Sequence, residues 1–286
     1  MRAEQVGFRE AVDRLGAGQL ATLRQVTSSP GRTRMRAPVQ VDAPEPEGAA
    51  VLRAAVTLYH QRLLGDPLAL AYVEGRGIDR PTIERCQLGY AVGDQLLPLL
   101  RWRGLPLWAA LSIGLLNRHG HEHLAGRIVV PELRQGRPVW LIGRRLDASA
   151  DDDGPKYLGL PGRKPLLGWE QARAQPSVCL VGGVFDFLTL RMWGYPVVAL
   201  LGTDPRQDLV ADLRTFRRVY LVLDDDDAGL EATLRLQDAL GPTAVPVGLP
   251  EGIKDVGELA PRPDGQALFA GALLEAVGAT PPGTPS

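Results

Sequence analysis

From Pro176 onward, short apolar runs alternate with stretches of helical spacing, and this alternation constrains the fold more than any other feature of the chain. The runs "VCLVG", "PVVALLG", "VYLVL" and "TAVPVGL" begin near residues 178, 196, 219 and 243. Between them lie "FDFLTLRMWG", "RQDLVADLRTFRR" and "AGLEATLRLQDALG". Strand–helix alternation of this kind predicts a parallel sheet with right-handed crossovers and helices on its faces. Ligands of such sheets gather outside the carboxyl ends of the strands.

The third run ends in charge: "VYLVLDDDDAG" takes five apolar residues straight into four carboxylates. Asp224 and Asp226 are two apart, so an extended backbone would turn both to one side. Two carboxylates at a rigid rim form a hard-oxygen site suited to Mg²⁺, and a cation would relieve their mutual repulsion. Asp225 and Asp227 are expected to point elsewhere. The motif alone also permits an acidic helix N-terminus favoured by the dipole, since Ala228-Gly229 opens a helix. The first run leads through Gly182-Gly183 to Asp186, either a backbone approach to a phosphate or metal or a tight strand–helix turn. The fourth leads to "LPEGIKDVGEL", with Asp255 near another strand end. Three acidic positions from three strand–helix units favour the metal reading over the bland one.

Upstream, "SSPGRTRMRAPVQVDAPEPEGAA" (residues 28–50) reads as a linker, preceded by the short amphipathic helix "FREAVDRLGA". Helical spacing runs from Ala54 to about Leu64 and through "DPLALAYVEGRGI", ended by Gly75 and Gly77. "DRPTIERCQLGYA" opens with Asp79 as an N-cap and Pro81 in the first turn, and further helix extends to about Leu116. "GRIVVPEL" and "GRPVWLIGRRL", separated by "RQG", predict a β-hairpin, which makes the middle region α+β. The final "GATPPGTPS" reads as a tail.

The 286 residues carry a net charge of −1 and are 45% hydrophobic, enough for one compact domain or two smaller ones. With neither a membrane-length apolar run nor a signal-peptide plan, the expected location is the cytoplasm, with no membrane partner. Cys86 and Cys179 offer neither a disulfide framework nor a zinc pattern, and Cys179 reads as core. Among the 32 lysines and arginines only Lys156, Lys164 and Lys254 are lysine. A G+C-rich genome explains that bias; arginine forks suited to phosphate and nucleic acid would explain it too. His119, His121 and His123 alternate as zinc ligands can, but with Gly120 among them and no cysteine nearby they read as a solvated loop, and no zinc is predicted. Asp151-Asp152-Asp153 reads as a loop. The five tryptophans at 102, 108, 140, 169 and 193 read as core or partly buried anchors rather than base-stacking platforms.

Taken in order, these segments resemble a known family. Residues 177–259 resemble a TOPRIM domain, and Ala54 to Leu259 is similar to a bacterial DnaG-type primase. The resemblance rests on "LAYVEGRGIDRPTIERCQLGYA", "GRIVVPELRQGRPVWLIGRRL", "GPKYLGLPG", "VVALLGT", "VLDDDDAG" and "LPEGIKDVGEL" in the family's order and spacing. "GFREAVDRL" resembles the tail that follows a primase zinc-binding module. The implied fold class is α/β: a TOPRIM parallel sheet flanked by helices, preceded by an α+β primase N-terminal subdomain. The implied division is a remnant helix and linker at 1–50, an α+β basic subdomain at 51–172, TOPRIM at 173–262, and a C-terminal helix and tail at 263–286.

The resemblance implies synthesis of short RNA primers on a single-stranded DNA template from ribonucleoside triphosphates, with Mg²⁺ or Mn²⁺ at the TOPRIM carboxylates. Asp224 and Asp226 match the paired metal ligands, Asp186 the acid of the first motif, and Asp255 the first acid of the last. Arg127, Arg144 and Lys156 match basic residues that contact nucleotide phosphates or template, and Lys164 lies near a further one. The chain departs from the pattern at Gly182, where the family has the motif Glu, at Gly257 in place of a second Asp, and at Gly159 in place of Asn. An arginine just before "GRIVVP" is also missing. No zinc ribbon, trailing helical subdomain or helicase-binding domain is read in the sequence, as in a trimmed primase of a mobile element or phage, or in a gene remnant. A replicative helicase or a separate zinc-binding module would be further partners. The alternative is a catalytically degenerate primase-fold module that binds nucleic acid or regulates.

Overall fold

The computed structural model describes residues 44–146, 154–201 and 207–279. The N-terminal amphipathic segment, most of the linker, Asp151-Asp152-Asp153 and the C-terminal tail lie outside them.

Helix α1 (Pro46–Gly65) begins inside the expected linker, because Pro46 takes the first turn, where its missing N–H costs nothing, and Glu47 complements the dipole. It buries Val51, Leu52, Val56, Tyr59 and Leu63. Two short helices follow, α2 (Pro67–Gly75) and α3 (Arg80–Arg85), and the side chains of Asp66 and Asp79 cap their first turns. The "LGYA" expected to end a helix instead supplies strand β1 (Gly89–Ala91), which pairs antiparallel with β2 (Arg127–Arg134). Tertiary pairing overrides the local pattern in a strand only three residues long. Between them come α4 (Leu96–Trp102) and α5 (Leu107–Ser112). The hairpin of β2 with β3 (Arg137–Arg145) forms as expected, turning at Gln135 and Gly136 with φ 50° and 74°. Positive φ at both turn residues matches the twist of the flanking strands. Strand β4 (Tyr157–Gly159) completes the order β1-β2-β3-β4.

Buried Glu122 holds this half together. Its carboxylate accepts from the Tyr59 hydroxyl (2.8 Å) and from the backbone N–H groups of Gln95 (2.8 Å) and Leu96 (2.7 Å). The last two are orphan donors at the start of α4. Nearby, His123 Nε2 lies 3.0 Å from the Gly159 carbonyl, while His119 and His121 are exposed.

The second half is the expected parallel sheet. After α6 (Trp169–Ala172), strands β5 (Ser177–Val181), β6 (Val197–Ala199), β7 (Arg218–Val222) and β8 (Ala244–Pro246) assemble in the order β6-β5-β7-β8. Helices α7 (Val184–Met192), α8 (Gln207–Leu213) and α9 (Asp227–Leu240) make the crossovers, and α10 (Gly265–Ala279) follows. Alternate residues feed two cores. Cys179, Val181, Tyr220 and Val222 join the core shared with the N-terminal half, whereas Val178, Leu180, Val219 and Leu221 pack with Leu213, Phe216 and Leu236. Cys179 is fully buried, as its apolar context suggested.

The two sheets meet at one joint. Leu167 exchanges backbone hydrogen bonds with Ala199 (3.1 and 3.0 Å), and the next N–H, of Gly168, donates to Glu132 on β2 (2.7 Å). Gly168 has φ 86°, and a Cβ there would meet the Phe187 ring at 2.4 Å, so only glycine fits. Among the described residues no helix is long and apolar enough to cross a membrane.

Two predictions follow from these carboxylates. Glu122→Ala strands two backbone donors and a tyrosine hydroxyl, and should lower unfolding stability in urea by about 3 kcal/mol. Burial first of all pushes Glu132 up from the usual 4.5 to about 7, against the Gly168 N–H and the charges of Arg134 and Arg191. The folded state thus holds this proton more tightly than the unfolded one, so stability falls as pH rises from about 4.5 to 7. Glu132→Gln keeps the acceptor for Gly168 and removes that slope. Urea midpoints of variant and parent should diverge in the variant's favour between pH 5 and 8, by up to about 3 kcal/mol.

Candidate active site

Strand order places the cleft. β6 lies on one side of β5 and β7 on the other, so a crevice opens beyond their carboxyl ends, where the direction of winding reverses. Val181 and Val222 are register partners, which brings the turn after β5 against the turn after β7. A cleft of about 250 Å³ opens there, lined by Asp186, Asp224, Asp226 and Asp255 on the parallel-sheet side. Arg76, Arg144 and Lys156 line it from the N-terminal half.

Each acid is held by its own local structure. β7 stops at Val222, so Asp224 and Asp226 sit on the strand–helix turn rather than in an extended strand. Both still reach the cleft, because Asp226 caps α9, its Oδ1 accepting from the Gly229 N–H (2.7 Å). Asp225 and Asp227 are exposed outside it. Asp255 caps a short 3₁₀ turn, Val256–Glu258, through the Glu258 N–H (2.9 Å). Asp186, in the first turn of α7, is buried and accepts from the Gly257 N–H (2.8 Å). Burial, then the Asp255 charge, raise its carboxyl to about 7 despite that bond, with Asp224 adding to the rise. Asp224 is also raised, by burial and by Asp255 and Asp226, with Lys156 opposing. This wall carries more negative charge than it neutralises.

The facing wall is organised around Arg144. Its Nε donates to the Tyr72 hydroxyl (2.7 Å) and its Nη1 to the Tyr157 hydroxyl (2.5 Å), with the guanidinium 5.0 Å from the Phe185 ring centre. Tyr157 is the register partner of Arg144, so pairing of β3 with β4 builds this contact and sets Lys156 beside it. Arg127 does not line the cleft. It is buried, and its Nη1 donates to the Pro155 (2.9 Å) and Lys156 (3.3 Å) carbonyls, supporting the segment that presents Lys156. Lys164 is exposed, with Nζ 3.5 Å from the Leu201 carbonyl, and does not line the cleft either.

Sequence reasoning missed Arg76 and Tyr72. Arg76 follows α2, four residues after Tyr72, and its guanidinium lies 5.5 Å from the Tyr72 ring centre and 5.3 Å from that of Phe185. An aromatic and an arginine at i, i+4 was the available signal. Two of the tryptophans also differ from expectation: Trp140 and Trp169 are buried, but Trp102 is 81% exposed and Trp108 60%.

The three glycine departures have different surroundings. A Cβ on Gly182 would lie 3.6 Å from Asp224 Oδ1 and 4.0 Å from the Leu223 side chain, ordinary contact distances that a side chain could start from. A Cβ on Gly257 would come within 3.1 Å of Asp255 Oδ1 and 3.3 Å of Asp186 Oδ1. A Cβ on Gly159 would strike the Trp140 ring at 2.4 Å.

A divalent cation fits this wall in charge and in ligand type. Among the described residues no three His, Cys, Asp or Glu side chains close on one point as a metal cage. The rim therefore suits a hard ion that keeps several waters, as Mg²⁺ does, better than a fully protein-caged one.

Comparison with known proteins agrees with this fold. Residues 177–248 match the Toprim domain family. A DNA primase of Deinococcus radiodurans is 31% identical over 255 residues, covering 80% of this chain and 42% of the relative. The chain is a homologue of the bacterial DNA primases. A DNA primase of Aquifex aeolicus is 32% identical over 68% of this chain and 42% of its own length. The crystal structure of the Aquifex aeolicus primase zinc-binding and RNA polymerase domains superposes with TM-score 0.70 at 25% identity, over 96% of this chain and 68% of that one. The RNA polymerase domain of Mycobacterium tuberculosis DnaG shares the fold with TM-score 0.69, over 79% of this chain and 82% of that domain. This chain thus has the fold of a primase RNA polymerase domain and spans about two fifths of the curated primases it matches. Both families imply use of a divalent metal, typically Mg²⁺.

The Gly159–Trp140 contact yields a test. Gly159→Asn, the family's residue, should destabilise the fold by about 1–3 kcal/mol through the clash with the indole. Trp140→Leu in the same chain should recover most of that loss in urea unfolding, whereas Trp140→Leu alone should not stabilise.

Proposed function

We propose that this chain is a primase-type nucleotidyltransferase that joins ribonucleotides into short primers on a single-stranded DNA template. The carrying observation is one cleft with carboxylates on one wall and cationic side chains on the other. A bound triphosphate and its metal need both. Asp224, Asp226 and Asp255 would present their carboxylates to a hydrated divalent ion, Mg²⁺ or Mn²⁺, in part through its waters, and the ion would supply charge neutralisation to the phosphates. Arg144, fixed by two tyrosine hydroxyls, and Lys156 hold the triphosphate oxygens opposite. Arg127 positions Lys156 through the backbone, and Lys164 meets the strand outside the cleft. Gly182 offers no group for the proton of the attacking hydroxyl, and Asp186 is the carboxyl that remains in that turn to accept it. The role fits a cytoplasmic chain working with a zinc-binding module or helicase supplied by another polypeptide.

A second reading, a nucleic-acid-binding module without catalysis, is favoured by one observation, the missing carboxylate at Gly182. Primer synthesis on single-stranded DNA with labelled ribonucleotides separates the two, in Mg²⁺ and in Mn²⁺. The parent chain should give product, Asp224→Asn should lose at least about 100-fold, and Gly182→Glu should gain. Product from Gly182→Glu alone would establish the second reading for the natural chain. No product from any of the three would overturn the proposal.

A further inference from the structure

Trp102 lies at the end of α4, two residues past buried Leu100, and so projects about 200° away from the face that packs. The large indole is left 81% exposed. It borders an open groove of about 580 Å³ between α1 and α4, lined also by Arg53, Ala54, Thr57, Arg103 and Leu105. This groove shares no residue with the catalytic cleft. Arg53 and Arg103, with Arg101 beside Trp102 in sequence, are exposed. Among the described residues none of these three guanidinium groups has an ion pair or hydrogen bond, and no carboxylate lines the groove.

An exposed ring flanked by unneutralised arginines has a chemical complement. A protein partner would need apolar surface to bury, and here Ala54 and Leu105 supply little. A single-stranded nucleic acid offers both things the groove lacks: a base face to stack on the indole and phosphates to meet the guanidinium forks. We propose that the Trp102 groove is a second foothold for single-stranded nucleic acid, gripping the template outside the cleft. The inference rests on the primase reading and adds a contact that the catalytic residues do not make.

The test is fluorescence anisotropy of a fluorescein-labelled oligo-dT with the full chain, without divalent metal, at several salt concentrations. Trp102→Ala should weaken binding by about five- to hundred-fold, whereas Trp102→Phe should retain most of it. The double variant Arg53→Gln/Arg103→Gln should flatten the log K against log salt slope by about 1.4, two phosphate contacts' worth. These positions are exposed, so folding is not at stake, and circular dichroism checks it. Unchanged affinity and slope in the variants, while the parent binds, would overturn the foothold and leave the primase reading intact. No binding by the parent would overturn both. Loss of self-association in Trp102→Ala by sedimentation, with oligo-dT affinity unchanged, would assign the groove to a second copy of the chain instead.

Discussion

A buried carboxylate ties the two walls of the cleft together, beside the core they share. The acids of the cleft belong to the parallel sheet and its cations largely to the antiparallel one, and the two sheets meet where Glu132 on β2 receives the Gly168 N–H. That donor directly follows Leu167, the residue that extends the parallel sheet at its β6 edge. Glu132 is 1% exposed, and its second oxygen, Oε1, has no hydrogen-bond partner among the described residues. A carboxylate so placed is costly to ionise, which is why its proton stays on into the neutral range. A buried polar contact of this kind contributes more to position than to stability. It fixes which edge of one sheet faces which turn of the other, and with that the gap between the acidic and basic walls.

Around this joint the departures from the primase pattern divide into two kinds. Gly257 and Gly159 are built in. Gly257 gives its N–H to Asp186 and leaves room for two carboxylates that a side chain would crowd, and Gly159 lies flat under the Trp140 ring. A Cβ at Gly159 would overlap the Trp140 indole, whereas one at Gly257 would need the Asp255 and Asp186 carboxylates to give by a few tenths of an ångström. Gly182 is different, because the space its missing side chain would occupy is open toward Asp224.

Much of this was legible in the sequence because it follows from short-range rules. The parallel strands, the "RQG" hairpin, the Asp79 cap and the convergence of Asp186, Asp224, Asp226 and Asp255 come from periodicity, turn chemistry and strand ends. What was missed depends on contacts distant in sequence. β1 exists because β2 pairs with it, and its three residues carry no period of their own. Arg76 reaches the cleft through Tyr72 and Phe185, which lie more than a hundred residues apart. The family resemblance matched Arg127 to a basic residue that contacts nucleotide phosphates or template, and its guanidinium donates to the carbonyls of the neighbouring segment. Composition suggested buried tryptophans, but a seven-residue helix that buries Leu96 and Leu100 has no inward place left for Trp102.

The electrostatic layout carries one more consequence for how the site works. Asp224 has its carboxyl raised by two like charges, and Lys156 is the one cation acting on it from the facing wall. Arg144 is held away in its own cage of hydroxyls and rings, where it satisfies tyrosines rather than aspartates. Had it paired with Asp224 or Asp226, each wall would have neutralised the other. By caging the arginine with neutral partners the fold keeps both walls charged and unsatisfied. The carboxylates keep their mutual repulsion and the arginine keeps its charge, the arrangement that a cation and a polyanion bound together would complement.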